Sequence, residues 1–165
     1  MKFWETIVDE EIAEFMLLAS KFEFFLVNLD QTFAHVDGET RAVIGINWDR
    51  VGTSLEDKFP FADFNFANSG FRIFKEEAPQ YLTAKEDGGL KWDSDQVNVS
   101  DWQVLLGRSY ARLRNNVAHG NKAQLPAPFT HERTKEFLEA GHCLIHFVAR
   151  AHAADDSWSY AIQFQ

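Results

Sequence analysis

At 165 residues, with 45% hydrophobic content, 16 Phe and 5 Trp, the chain has enough apolar and aromatic side chains for one core, and 1–165 reads as a single domain. Its 16 Lys and Arg against 25 Asp and Glu give a net charge of −9 with His neutral, which argues against broad, sequence-blind binding along nucleic acid. The apolar runs fall far short of the roughly 18–20 residues of a membrane span, the first five residues do not read as a secretory leader, and the single cysteine, Cys143, excludes an intrachain disulfide and a cysteine-based zinc site.

These features predict a cytoplasmic protein with no membrane partner. From about Asp9 to Phe33, Ile12, Phe15, Ala19, Phe22, Leu26, Leu29 and Phe33 recur at spacings of three and four, which predicts a helix with Asp9 as its N-cap. Glu23 borders that apolar stripe, and an acid in such a place needs a partner. Residues 35–40 read as a loop. Asn47 then caps a shorter helix with Trp48, Val51, Leu55 and Phe59 facing inward and Pro60 as its stop. Between Phe61 and Ala78 only the second half reads as helical. Residues 81–85 and 90–92 flank a Gly-containing turn and form either a small hairpin or a surface loop.

Ser100 and Gln103 have the spacing of a capping box for the next helix, in which Trp102, Leu105, Leu106, Ser109, Leu113 and Val117 make the buried face. Gly120 is its stop. After Pro126 and Pro128, Thr130 opens a last long helix carrying Phe137, Gly141, Leu144, Ile145 and Val148 at helical spacing. The sum is an all-α bundle with room for one small hairpin insertion.

Between Trp102 and His131 there is no Asp or Glu, while Arg108, Arg112, Arg114 and Lys122 all lie there, a basic island in an acidic chain. Within it, Arg114-Asn115-Asn116-Val117-Ala118-His119 gathers a permanent cation, two amides and an imidazole at a helix end. An imidazole near neutrality manages protons, and a guanidinium holds phosphate and stabilises charge developing on it, a pairing that suits metal-free RNA cleavage by the 2′-hydroxyl. A purely structural role is available to each: Arg108 and Arg112 as a solvated helix face, and His119 as a C-terminal residue that satisfies the last carbonyls and the dipole. On an ideal helix Asn115 and His119 share a side, whereas Arg114 lies about 140° away from His119, so that a loosened last turn or a second subunit has to bring the two together.

His142 and His146 have the spacing of two zinc ligands, but without a partnering H-E-x-x-H glutamate or Cys pair they read as half-buried or surface histidines, and no metal is assigned. Cys143 reads as core, Trp48 and Trp102 as packing. With no phosphate-binding glycine loop, no cofactor is expected.

Residues 114–119 resemble the R-x4-6-H signature of HEPN-domain proteins, and 112–122 resemble the R-N-N-x-x-H-G-x-K form of one bacterial subgroup. Lys21-Phe22-Glu23-Phe24 and Asn47-Trp48-Asp49-Arg50 are similar to that subgroup's early F-E and W-D elements. The resemblance implies a HEPN-like helical bundle that forms a homodimer, bringing two motifs to a shared cleft, and a metal-independent endoribonuclease that acts on RNA as a toxin or in antiviral defence. It assigns Arg114 to the scissile phosphate, His119 to general acid or base, and Asn115 to orientation. Glu23, Asn116, Arg112, Arg108 and Lys122 are supporting or RNA-binding, with Glu23 a partner for Arg114 or another base of that helix. An antitoxin protein is a further implied partner. HEPN toxins with a nucleotidyltransferase-type antitoxin often carry Tyr two residues after the motif His, where this chain has Asn121, so that mechanism is not supported. The same resemblance covers a second class, a noncatalytic homodimeric module that binds nucleotide, RNA or a partner protein.

Overall fold

The computed structural model describes residues 7–119, 131–153 and 158, leaving out the side chains at 7–9, 119, 131 and 132. Expectations for Gly120, Asn121, Lys122, Pro126, Pro128 and Thr130 therefore lie outside the described residues, as does the tail beyond 153 apart from Trp158. The described chain is mostly helical, with two small antiparallel hairpins, one more than the sequence suggests.

Helix α1 (Ile7–Leu29) packs along α6 (His131–His152). Its inward stripe follows the predicted spacing as far as Leu26, with Phe15, Ala19, Phe22 and Leu26 buried, whereas Leu29, expected on the same stripe, is exposed at the helix end. Ile7 and Val8 are already helical, so Asp9 stands inside the helix rather than capping it. The helix also ends earlier than the periodicity implies, because Asp30 takes an extended conformation and its side chain accepts from the Thr32 amide, which starts a separate 3-10 turn (Gln31–Phe33). Phe33 reaches the core from that turn. On α6, Phe137, Leu144, Ile145 and Val148 are buried as expected. Cys143 is exposed rather than in the core, because it lies on the flank opposite that stripe; its Sγ rests against Gly70.

Residues 35–40 are not simply a loop. They join β1 (Ala34–Val36) to β2 (Val43–Ile46), and the Asp37 carboxylate organises the connection by accepting from the Glu39 and Thr40 amides and the Thr40 hydroxyl. Asn47 caps α2 (Trp48–Lys58) through its side-chain oxygen, which accepts from the Arg50 amide. The following segment is less helical than predicted: two 3-10 turns (Phe61–Asp63, Phe66–Asn68) precede α3 (Ile73–Glu76). Their phenylalanines join Trp102 and Phe147 in an aromatic cluster with ring separations of 4.8–5.6 Å.

The second hairpin, β3 (Tyr81–Ala84) with β4 (Leu90–Asp93), settles the choice at 81–92 in favour of strands. Next comes one continuous helical rod in three parts: α4 (Trp102–Val104), a π-helical stretch (Leu105–Tyr110) and α5 (Ala111–His119). Its cap is Asp101, not Ser100: the Asp101 carboxylate accepts from the Val104 amide at 2.7 Å, and the Ser100 hydroxyl donates to Asp101 instead. Gln103 is drawn away from a capping box because its amide donates to Thr53 on α2.

Two glycines permit the closest helix contacts. A Cβ on Gly52 would lie 2.7 Å from the Gln103 backbone nitrogen, where α2 meets α4, and one on Gly141 would lie 2.5 Å from the Phe15 ring, where α1 meets α6. No helix among the described residues is long and apolar enough to cross a membrane.

Candidate functional site

The site is positioned by the rod from 102 to 119. At its start α4 lies on α2, with the Trp102 indole buried and its N–H donating to the Phe59 carbonyl at 2.7 Å. The π-helical stretch then widens the turn: the Ala111 amide bonds back to the Leu106 carbonyl, five residues away instead of four. A buried Ser109 hydroxyl donates to the Phe74 carbonyl at 2.9 Å and anchors this stretch to α3. One wide turn rotates everything after it, so α5 presents its inward side to α1, whereas α4 presents its own to α2.

That rotation brings Arg114 to Glu23. The guanidinium donates from Nε to Oε1 at 2.8 Å and from Nη2 to Oε2 at 3.0 Å, a two-pronged fork of the kind Arg makes with a carboxylate. Nη1 donates to the Asn115 side-chain oxygen at 3.3 Å. The Arg114 side chain keeps 32% of its surface exposed against 18% for Glu23, so the cation is accessible while its partner sits behind it. Burial pushes the Glu23 carboxyl above its usual 4.5, opposed by the charge and hydrogen bonds of Arg114. Of the two partners left open for Glu23 by the sequence, Arg114 or another base of that helix, it is Arg114 that the structure pairs with it.

The other arginines of the island differ. Arg112 makes a second fork, to Asp95 at 2.5 and 2.9 Å, and its guanidinium lies 4.5 Å from the centre of the Tyr81 ring. Asn116 is buried, and its amide donates to the Gln80 carbonyl at 2.6 Å. Arg112 and Asn116 thus fasten the β3–β4 hairpin to α5, a supporting role with no surface to spare for RNA in the case of Asn116. Arg108 is exposed, close enough to Asp95 to help lower its pKa. In space the basic island is therefore less bare than in sequence, since Glu23 and Asp95 enter from outside it to answer two of its arginines. Lys122 lies outside the described residues.

Among the described residues α5 stays helical to His119, with no loosened turn between Arg114 and His119. Positions 114 and 119 are separated by about 140° around one helix, and positions 115 and 119 by about 40°. The His119 side chain is outside the described residues. Asn115 is exposed on the outer side of the rod.

Tyr110 is the residue the sequence reading passed over. It is fully buried at the end of the π-helical stretch, four residues before Arg114, and its hydroxyl has no hydrogen-bond partner among the described residues. The signal was available, because residues four apart share a helix face and Tyr110 therefore stacks under Arg114. For Asp95 no such local signal exists.

Elsewhere, His152 is half-buried between the Ser54 hydroxyl, 2.9 Å from Nε2, and the Val148 carbonyl, 2.8 Å from Nδ1. The carbonyl only accepts, so Nδ1 carries the proton and, in the neutral ring, Nε2 accepts from Ser54. No three His, Cys, Asp or Glu side chains among the described residues are grouped to hold a metal ion. Compared with family models, with curated proteins and with solved structures, the chain finds no match, so the chemistry of this site rests on its own geometry.

Proposed function

We propose that the chain is a HEPN-type, metal-independent endoribonuclease that cleaves RNA by 2′-hydroxyl attack and serves as a toxin or antiviral-defence effector. The observation that carries this reading is Arg114: a guanidinium pinned by a fork from behind, with a third of its surface open, at the end of a helix that also bears Asn115 and His119. A planar guanidinium with an open edge can exchange its carboxylate partner for a phosphodiester, whose oxygens accept the same two-pronged fork.

In the proposed reaction His119 removes the proton from the 2′-hydroxyl as that oxygen attacks phosphorus. The P–O5′ bond breaks, and the leaving 5′-oxygen takes a proton from a protonated imidazole; the products are a 2′,3′-cyclic phosphate and a free 5′-hydroxyl. Arg114 stabilises charge on the non-bridging oxygens, and Asn115 orients the phosphate or the imidazole. Because positions 114 and 119 lie on different sides of one helix, a homodimer supplies the arrangement, with Arg114 of one copy and His119 of the other at one cleft. RNA is the substrate, and an antitoxin protein is the partner that restrains it.

One observation favours a second reading, a noncatalytic module binding RNA, nucleotide or protein at the same place: Glu23 already neutralises Arg114. Incubation of purified protein with single-stranded RNA and a chelator separates the two. The nuclease yields 2′,3′-cyclic ends, and His119→Ala or Arg114→Ala lowers the rate by about 10²–10⁴-fold. A His119→Ala protein that cuts as fast as the parent sinks the assignment.

A further inference from the structure

If Arg114 turns to a phosphodiester, it leaves behind a carboxylate with only 18% of its side chain exposed. A mostly buried charge without a donor is costly, so the release of Arg114 is limited by what becomes of Glu23. Tyr110 is placed to answer. Its ring meets Phe22, the neighbour of Glu23, edge-on at 6.1 Å, and also packs edge-on against Trp48 at 5.3 Å and Phe15 at 6.5 Å. These contacts fix the ring, and the helix stacks it beneath Arg114 on the side facing α1. Buried hydroxyls are rarely left without a partner, and this one has none among the described residues while Arg114 and Glu23 are joined.

We propose that Tyr110 is the reserve donor for Glu23: when Arg114 moves onto an anionic ligand of the phosphodiester class, the Tyr110 hydroxyl donates to the carboxylate that Arg114 has left. No proton is transferred. The hydroxyl stays protonated throughout, since burial, with the charge of Glu23 adding to it, pushes the phenol well above its ordinary range. Tyr110 is in this sense a positioning residue, which acts on the ligand through Glu23 and Arg114. The inference rests on the reading that Arg114 receives phosphate.

The test uses the full chain and a single-stranded DNA oligonucleotide, which offers phosphodiesters but no 2′-hydroxyl to react. Binding is followed by fluorescence anisotropy and stability by thermal unfolding. Tyr110→Phe is expected to weaken binding about tenfold, the effect of one charge-assisted hydrogen bond, while the unfolding midpoint stays level or rises, because the hydroxyl removed has no partner among the described residues of the free protein. In a Glu23→Gln background the same substitution is expected to change nothing further, since no charge is then left to stabilise. Unchanged binding by Tyr110→Phe overturns the inference, as does a lowered midpoint with full affinity, which would make the hydroxyl a structural link. Arg114→Ala separates the two levels: if it binds like the parent, the site itself is wrong; if it fails to bind while Tyr110→Phe binds normally, only the reserve donor falls.

Discussion

The two ends of the rod from Trp102 to His119 are built on different physics. Its first part is fixed by packing: Trp102 is enclosed by Phe61, Phe64, Phe66 and Phe147, its N–H is satisfied, and Gly52 lets α2 approach to backbone contact. Its last part adds charge to apolar packing: beside the buried Leu113 and Val117, Arg112 is forked to Asp95 and Arg114 to Glu23. Apolar contact is insensitive to a ligand, whereas an ion pair can be exchanged for another anion. The difference teaches that one helix serves as both foundation and candidate site, and the π-helical stretch between them turns the second part away from the first.

If that division is right, Trp102→Ala is the most damaging single change, costing about 3–5 kcal/mol of stability from lost burial and the cavity left behind. Arg114→Ala, by contrast, opens no cavity in the core but strips the mostly buried Glu23 of its donor, and costs about 1–3 kcal/mol. Urea denaturation of both variants checks the contrast; equal losses would mean that the charged end is as structural as the apolar one. Gly52→Ala follows in size. Its new methyl would meet the Gln103 backbone, which cannot swing aside as a long side chain does, and a loss of about 1–3 kcal/mol is expected by the same measurement. Full stability in Gly52→Ala would show that α2 and α4 are not locked together.

How far the sequence foretells this depends on whether a feature is local. The α1 stripe through Leu26, the Asn47 cap and the α6 stripe follow from spacings within a few residues, and they appear as expected. Glu23 was legible too, because a carboxylate beside an apolar stripe requires a partner. The β1–β2 hairpin was not: three and four residues are too few for alternation to declare itself, and the residues that turn it are ordinary loop formers. Nor does the π-helical stretch have a compositional mark, since bonding to the fifth residue instead of the fourth uses the same apolar side chains. The Asp101 cap was missed by one position because Ser100, Asp101 and Gln103 all suit a helix start, and the choice was made by Thr53 drawing Gln103 across to α2. Arg112 looked free only because its partner, Asp95, lies outside the acid-free segment.

The smallest expected effect bears on the charged end itself. Glu23 and Asp95 answer neighbouring arginines of one helix, yet their carboxyls are displaced in opposite directions. Burial, the larger cause, raises Glu23 above 4.5, whereas hydrogen bonds from Arg112 chiefly hold Asp95 below 3.8. A raised folded value means that Glu23's contribution to stability is complete below its unfolded pKa and fades as pH climbs through the folded one. For Asp95 the contribution is present above the unfolded value and disappears as pH falls through the depressed folded one. Solvent screening keeps the Asp95 share small, its side chain being 37% exposed. Carboxyl-carbon NMR should therefore find Glu23 titrating first as acid is added and Asp95 last. Between those two points Glu23 is neutral and grips Arg114 less tightly while Arg112 still holds the hairpin, so the Arg114 side-chain resonances are expected to move before those of Arg112. Simultaneous movement would show that both forks loosen together and that the two arginines do not have the separate roles their surroundings assign them.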